Sequence, residues 1–137
     1  MRTVPAMLAA LFVVAASATA VARPTLAERG EAELARTIEG RVAGTPVDCI
    51  YLHDITSTEI IDGTAIVYRT LGNRLYVNRP SMGERSLSRG KIMVTDTHSS
   101  KLCSVDTVKL LDGFSRFPSG FVGLSEFVPY TKVSAAR

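Results

Sequence analysis

The sequence predicts an α+β domain, in which an N-terminal helix packs on an antiparallel β-meander of five to seven strands that can curl into a small barrel. Two observations carry this. Apolar residues recur at helical spacing only between about residues 25 and 42, and from Val47 onward the spacing becomes strand-like. The turn signals Asp62-Gly63, Gly72-Asn73 and Asp112-Gly113 then punctuate the β-prone runs at hairpin distances.

Ahead of that domain, residues 1–22 differ in kind. Arg2 is their only charge, followed by an apolar run from Val4 to Ala16 and the small residues Ser17-Ala18-Thr19-Ala20-Val21-Ala22. This is the order of a secretory signal peptide's basic, apolar and cleavage regions, with cleavage after Ala20 or Ala22. The alternative is an uncleaved anchor, since roughly 19 apolar residues just span a bilayer. The Ala-rich half is weakly hydrophobic and dense in processing sites, which favours cleavage over anchoring, and cleavage after Ala22 leaves Arg23-Pro24 outside the apolar block. Residues 23–137 then form one domain in the periplasm or outside the cell, expected to be a monomer with no remaining membrane span.

Thr25 opens the helix, with Glu28 placed to complete a capping box. Ala27, Leu34, Ile38 and Val42 share one face, Glu28, Glu31 and Glu33 come early, and Arg36 and Arg41 come late, as the helix dipole favours. Gly40, Gly44 and Pro46 end the element. Cys49–His53, Thr58–Ile61, Thr64–Arg69, Arg74–Arg79, Lys91–Asp96 and Val105–Leu111 read as strands. In Arg74–Arg79, Leu75 and Val77 alternate with Arg74, Tyr76 and Asn78, the pattern of a strand with one wet face. Every phenylalanine except Phe12 falls between Phe114 and Phe127, followed by Tyr130. These aromatics either close one end of the sheet or line a shallow ligand pocket.

The net charge of +3 is too small to argue for nucleic acid. Its distribution is uneven, because acids crowd residues 28–62 and bases crowd residues 69–101. One explanation is complementarity between the N-terminal element and the domain it packs on. The other is a contact surface of Arg74, Tyr76, Arg79, Arg85 and Arg89 that meets an anionic envelope component. Exposed arginines on strands also protect an edge from pairing with other chains. Cys49 and Cys103 either form a disulfide, which would stabilise the fold by about 4 kcal/mol on the chain-entropy model, or remain as buried thiols.

From Gly40 to about Leu111 the chain resembles a family of small exported proteins of Gram-negative bacteria with no characterised function. The resemblance rests on Ala43-Gly44-Thr45-Pro46-Val47-Asp48-Cys49-Ile50, on Ser57–Ile66, on Leu75-Tyr76-Val77-Asn78-Arg79-Pro80 and on Ser100–Asp106. Members of the broader family often carry a further Cys in the loop matching Arg85-Ser86-Leu87, where this chain has none. The resemblance implies export and supplies no activity or cofactor.

Catalytic signals are weak. His53 and His98 each lie near an acid, Asp54 or Asp96, and near hydroxyls, but no nucleophile turn accompanies them. Their spacing matches no zinc motif, and no glycine loop opens a helix with the Lys-Ser/Thr of a phosphate cradle. The expectation is a non-catalytic binding or structural module without metal or cofactor. The competing reading is a small enzyme or inhibitor whose pocket uses the aromatic C-terminal segment.

Overall fold

Helix α1, Leu26–Thr37, begins where the capping box places it. The Thr25 hydroxyl accepts from the Glu28 N–H, and the Glu28 carboxylate accepts from the Thr25 N–H at 2.6 Å. In this computed structural model, which describes residues 20–134, the helix ends earlier than its apolar spacing suggests. Gly40 adopts φ +72°, and the chain turns into strand β1, Arg41–Ala43, so Val42 lies exposed on a strand instead of under the helix. Residues 1–19 of the expected leader lie outside the described residues.

Ten strands follow the helix, more than the five to seven expected. After β1 come β2 (Cys49–Tyr51), β3 (Ile55–Ile61), β4 (Ala65–Thr70), β5 (Arg74–Asn78) and β6 (Lys91–Thr95). β7 (Lys101–Cys103), β8 (Thr107–Asp112), β9 (Pro118–Gly123) and β10 (Phe127–Lys132) complete the set. They form a five-stranded sheet in the order β1-β10-β5-β4-β3, a three-stranded sheet β6-β8-β9 and a ribbon β2-β7, all antiparallel. Among the described residues no sheet closes into a barrel, and β3 and β6 remain edges. The β4–β5 turn uses Gly72 at φ +74° and Asn73 at φ +60°, the two positive dihedrals that a tight hairpin needs.

The five-stranded sheet is covered on both faces. On one, Ile61, Ala65, Val67, Leu75 and Val77 pack beneath Leu34 of α1, with Ile38 and Tyr130 at the margin. On the other, Ile60, Ile66 and Tyr68 meet Val108, Leu110, Val122 and Phe127. Tyr68 and Phe127 make an edge-to-face pair with ring centroids 5.7 Å apart. Burial pushes the Tyr68 phenol far above its ordinary pKa. This double coverage corrects the expectation of a wet face on β5. Asn78 is fully buried, its amide donating to the Ser125 carbonyl at 2.6 Å and accepting from the Ser125 N–H at 3.2 Å. It thereby ties the end of β5 to the corner before β10.

The ribbon holds the cysteines in direct register. Cys49 faces Cys103 with a Cα–Cα separation of 4.0 Å, and the two sulfurs are bonded. Beside the bridge, Ile50 opposite Leu102 carries the ribbon into the core.

Two predictions follow from this packing. A Cβ on Gly30 would lie 1.8 Å from the Thr64 hydroxyl and 2.9 Å from the Asp62 carbonyl, so α1 reaches the sheet only through a bare backbone. Gly30→Ala, which by helix propensity alone would stabilise by about 1 kcal/mol, should instead destabilise by about 2 kcal/mol through overpacking. Urea unfolding midpoints would show the sign. The disulfide spans 54 residues, and replacing both cysteines by alanine should cost about 4 kcal/mol in the same assay.

Candidate binding surface

The arginine series divides into separate environments. Arg79, just beyond β5, donates two hydrogen bonds to the Glu31 carboxylate of α1, at 2.5 and 2.9 Å. Arg89 pairs with Glu33, two residues further on and on the opposite flank of the helix. The Arg79 hydrogen bonds hold the Glu31 carboxyl below its usual range, and Glu31 raises the Arg79 pKa. Two of the five candidate residues therefore clamp α1 to the domain from either side of its buried stripe. Arg74 reaches the Tyr76 hydroxyl at 3.4 Å beside the ribbon, where both line a cavity of about 270 Å³ with Tyr51 and Asp54. Arg85 lies elsewhere, on the short 3-10 turn Glu84–Ser86, next to Leu26. The five residues do not make one face.

The histidines also lie apart. His53 sits exposed on the turn Leu52–Asp54 with Nε2 3.3 Å from the Asp54 carboxylate and its ring 5.2 Å from Tyr51. His98 is exposed on the β6–β7 connection. Among the described residues no three His, Cys, Asp or Glu side chains gather as a metal site.

Where the sheets fail to meet, a trough runs between β3 and β6. Two cavities of about 400 and 460 Å³ share Thr58, Lys91 and Met93 along it. The Lys91 ammonium is already engaged there, donating to the Ser86 and Ser119 carbonyls at 2.7 and 3.2 Å.

The aromatic segment splits instead of forming a pocket. Phe127 is buried in the core and Tyr130 half-buried near α1, while Phe114, Phe117 and Phe121 are 99%, 72% and 55% exposed. Their placement follows from strand alternation. Val108, Leu110 and Val122 point into the core, so Lys109, Leu111 and Phe121 point outward. Across the strands, Val94 pairs with Lys109 and Lys109 with Phe121, and in the next outward row Ile92 pairs with Leu111. The outer face of the three-stranded sheet is thus an apolar strip with Lys109 in its middle. Among the described residues no helix covers it, whereas α1 covers the five-stranded sheet.

At the end of the strip the β8–β9 turn projects Phe114 and Phe117. One Asp112 carboxylate oxygen accepts from the Phe114 N–H at 3.1 Å, the Ser115 N–H at 2.7 Å and the Ser115 hydroxyl at 2.9 Å. Those bonds, Ser115's foremost, hold the Asp112 carboxyl below its usual range. The Arg116 N–H donates to the Asp112 carbonyl at 2.9 Å, with Arg116 at φ +62°. The turn is tied to its own base, and the aromatics extend beyond it.

Sequence reasoning did not single out Ile92, Val94, Lys109 or Leu111. The available signal was the run Val108-Lys109-Leu110-Leu111, whose apolar residues fall on both faces of a strand. Compared with known protein families, curated proteins and solved structures, the chain finds no match.

The helix clamp generates a pH prediction. Glu31 has a lowered folded-state pKa, so its contribution is present above the unfolded value of about 4.3 and is lost as pH falls through the folded value. Because the pair is half exposed, Glu31→Gln should lower stability at neutral pH by under about 1 kcal/mol. The gap between variant and native midpoints should close in acid.

Proposed function

We propose that this chain is an exported, non-catalytic binding module of the bacterial envelope, monomeric in itself, whose contact face is the outer side of the β6-β8-β9 sheet with its aromatic turn. The observation that carries the reading is the exposure of Phe114, Phe117 and Phe121 beside Val94 on a sheet that no layer covers among the described residues. Contiguous apolar surface of this kind marks an interaction site. Export is supported by the leader-like residues 1–22, by the resemblance to small exported proteins, and by the Cys49–Cys103 bridge, which suits an oxidising compartment. Among the described residues no helix is long and apolar enough to cross a membrane.

An enzyme pocket built from the aromatic segment finds no support in this geometry, because its side chains diverge between core and surface. Nor do His53 and His98 converge on a common cavity.

The test uses protein recovered from the periplasm of its own cells. Its intact mass should match a chain shortened at Ala20 or Ala22 and two hydrogens lighter than the reduced form. On adding envelope extract, amide hydrogen exchange should slow in β6, β8, β9 and the 112–118 turn. Slowing confined to the β3–β6 trough or to the Arg74–Tyr76 cavity would reject the proposed face, and a full-length cytosolic protein would reject export.

A further inference from the structure

We infer that the occupant of this face is an anionic phospholipid bilayer surface, with Phe114 and Phe117 entering the headgroup boundary and Lys109 and Arg116 meeting lipid phosphates. The inference rests on the contact face proposed above and adds the chemistry that covers it.

Three features of the patch select lipid. The first is shape. Phe114 stands almost wholly clear of the protein at the tip of a projecting turn, and a tip of that kind inserts into a soft boundary more readily than it matches a flat protein surface. The Asp112 hydrogen bonds brace that turn from beneath, so presenting the aromatic rings requires little further ordering.

The second is charge. Among the described residues neither Lys109 nor Arg116 lies within 4 Å of an acidic partner, although Arg69, Arg79 and Arg89 all do. The one carboxylate at the turn, Asp112, is directed at the turn's own N–H groups. The strip and turn therefore present apolar side chains interleaved with unpaired cations, the composition of a surface that sits at an anionic interface.

The third is what the arrangement does to a second copy of this chain. A two-fold contact through the strip sets the same residues on both sides, so Lys109, between Val94 and Phe121, would be buried against an apolar strip that offers no acid to pair with. Burying an unpaired ammonium opposes such a dimer. An anionic headgroup removes that penalty, since it supplies the counter-charge while the flanking apolar residues leave water.

The experiment is co-sedimentation of the protein with phosphatidylcholine vesicles, with and without phosphatidylglycerol. The native protein should bind the anionic vesicles, and binding should weaken as added salt shortens the screening length. Phe114→Ser with Phe117→Ser should weaken it by at least roughly tenfold, from the lost apolar burial. Lys109→Glu with Arg116→Glu should abolish the preference for phosphatidylglycerol. These side chains are exposed, so unchanged melting midpoints should verify folding, and native and variant chains share one N-terminus, which cancels any leader contribution. Equal binding to both lipid mixtures, or phenylalanine variants that bind as the native protein does, would overturn the inference. Absence of vesicle binding alongside protection of β6, β8 and β9 by envelope extract would remove the lipid and leave the contact face standing. Loss of both would remove the two together.

Discussion

Ile66 and Val67 are neighbours in the chain, yet one packs toward the three-stranded sheet and the other under α1, and neither touches water. Burial of β4 on both faces is the constraint from which the rest of the architecture follows. A strand with two dry faces needs a layer on each side. The three-stranded sheet provides one layer and a single 12-residue helix provides the other. That helix must come close, which is why Gly30 rests on the Thr64 turn, and it must stay in place, which the Glu31–Arg79 and Glu33–Arg89 pairs assist from its two flanks. Each exposed pair is worth little alone. Their effect is orientational, because holding both flanks fixes the rotation of α1 about its axis while Leu34 supplies most of the burial.

The same arithmetic of layers leaves one surface without cover. The chain has one α-helix among its described residues and two sheet faces that would accept one. With α1 committed to the five-stranded sheet, Ile92, Val94, Leu111 and Phe121 face outward on the other. A structural layer built only for stability would place polar residues there, as antiparallel sheets with one wet face do. The presence of apolar residues at all four of those positions is the reason to assign the strip a contact role instead of counting it as surface scatter.

Much of this was legible in the residues, and the failures have physical causes. The capping box at Thr25 and Glu28, the hairpin turns at Asp62-Gly63 and Gly72-Asn73, and the α+β class follow from local chemistry that tertiary context did not override. The helix length did not, because Val42 continues the apolar period after Gly40 has already turned the backbone. β9 and β10 were hidden by Pro118, Gly120 and Pro129, residues that argue against strands when read singly. Pro129 is accommodated because its carbonyl still accepts from the Gly44 N–H while its missing N–H goes unneeded. Asn78 looked like a surface residue since nothing local announces that Ser125, 47 positions away, will satisfy its amide. The outer strip was missed for the complementary reason. Alternation identifies which residues share a face, but which face remains uncovered depends on where the helix docks, and that is a property of the whole fold.

Charge completes the argument. Read along the chain, the bases of residues 69–101 look like a cationic surface, and read in space several are already answered: Arg69 by Glu59, Arg79 by Glu31, Arg89 by Glu33, and Lys91 by two backbone carbonyls. Among the described residues Arg74, Arg85 and Lys101 also lack an acidic partner, but they lie apart from the uncovered sheet; the unpaired cations that stand among its apolar side chains are Lys109 on β8 and Arg116 on the adjoining turn. An isolated lysine in the centre of an apolar strip weakens any purely hydrophobic association and strengthens one with an anionic surface. The side chain that keeps the strip from pairing with its own kind is therefore the same one that gives it a preferred partner.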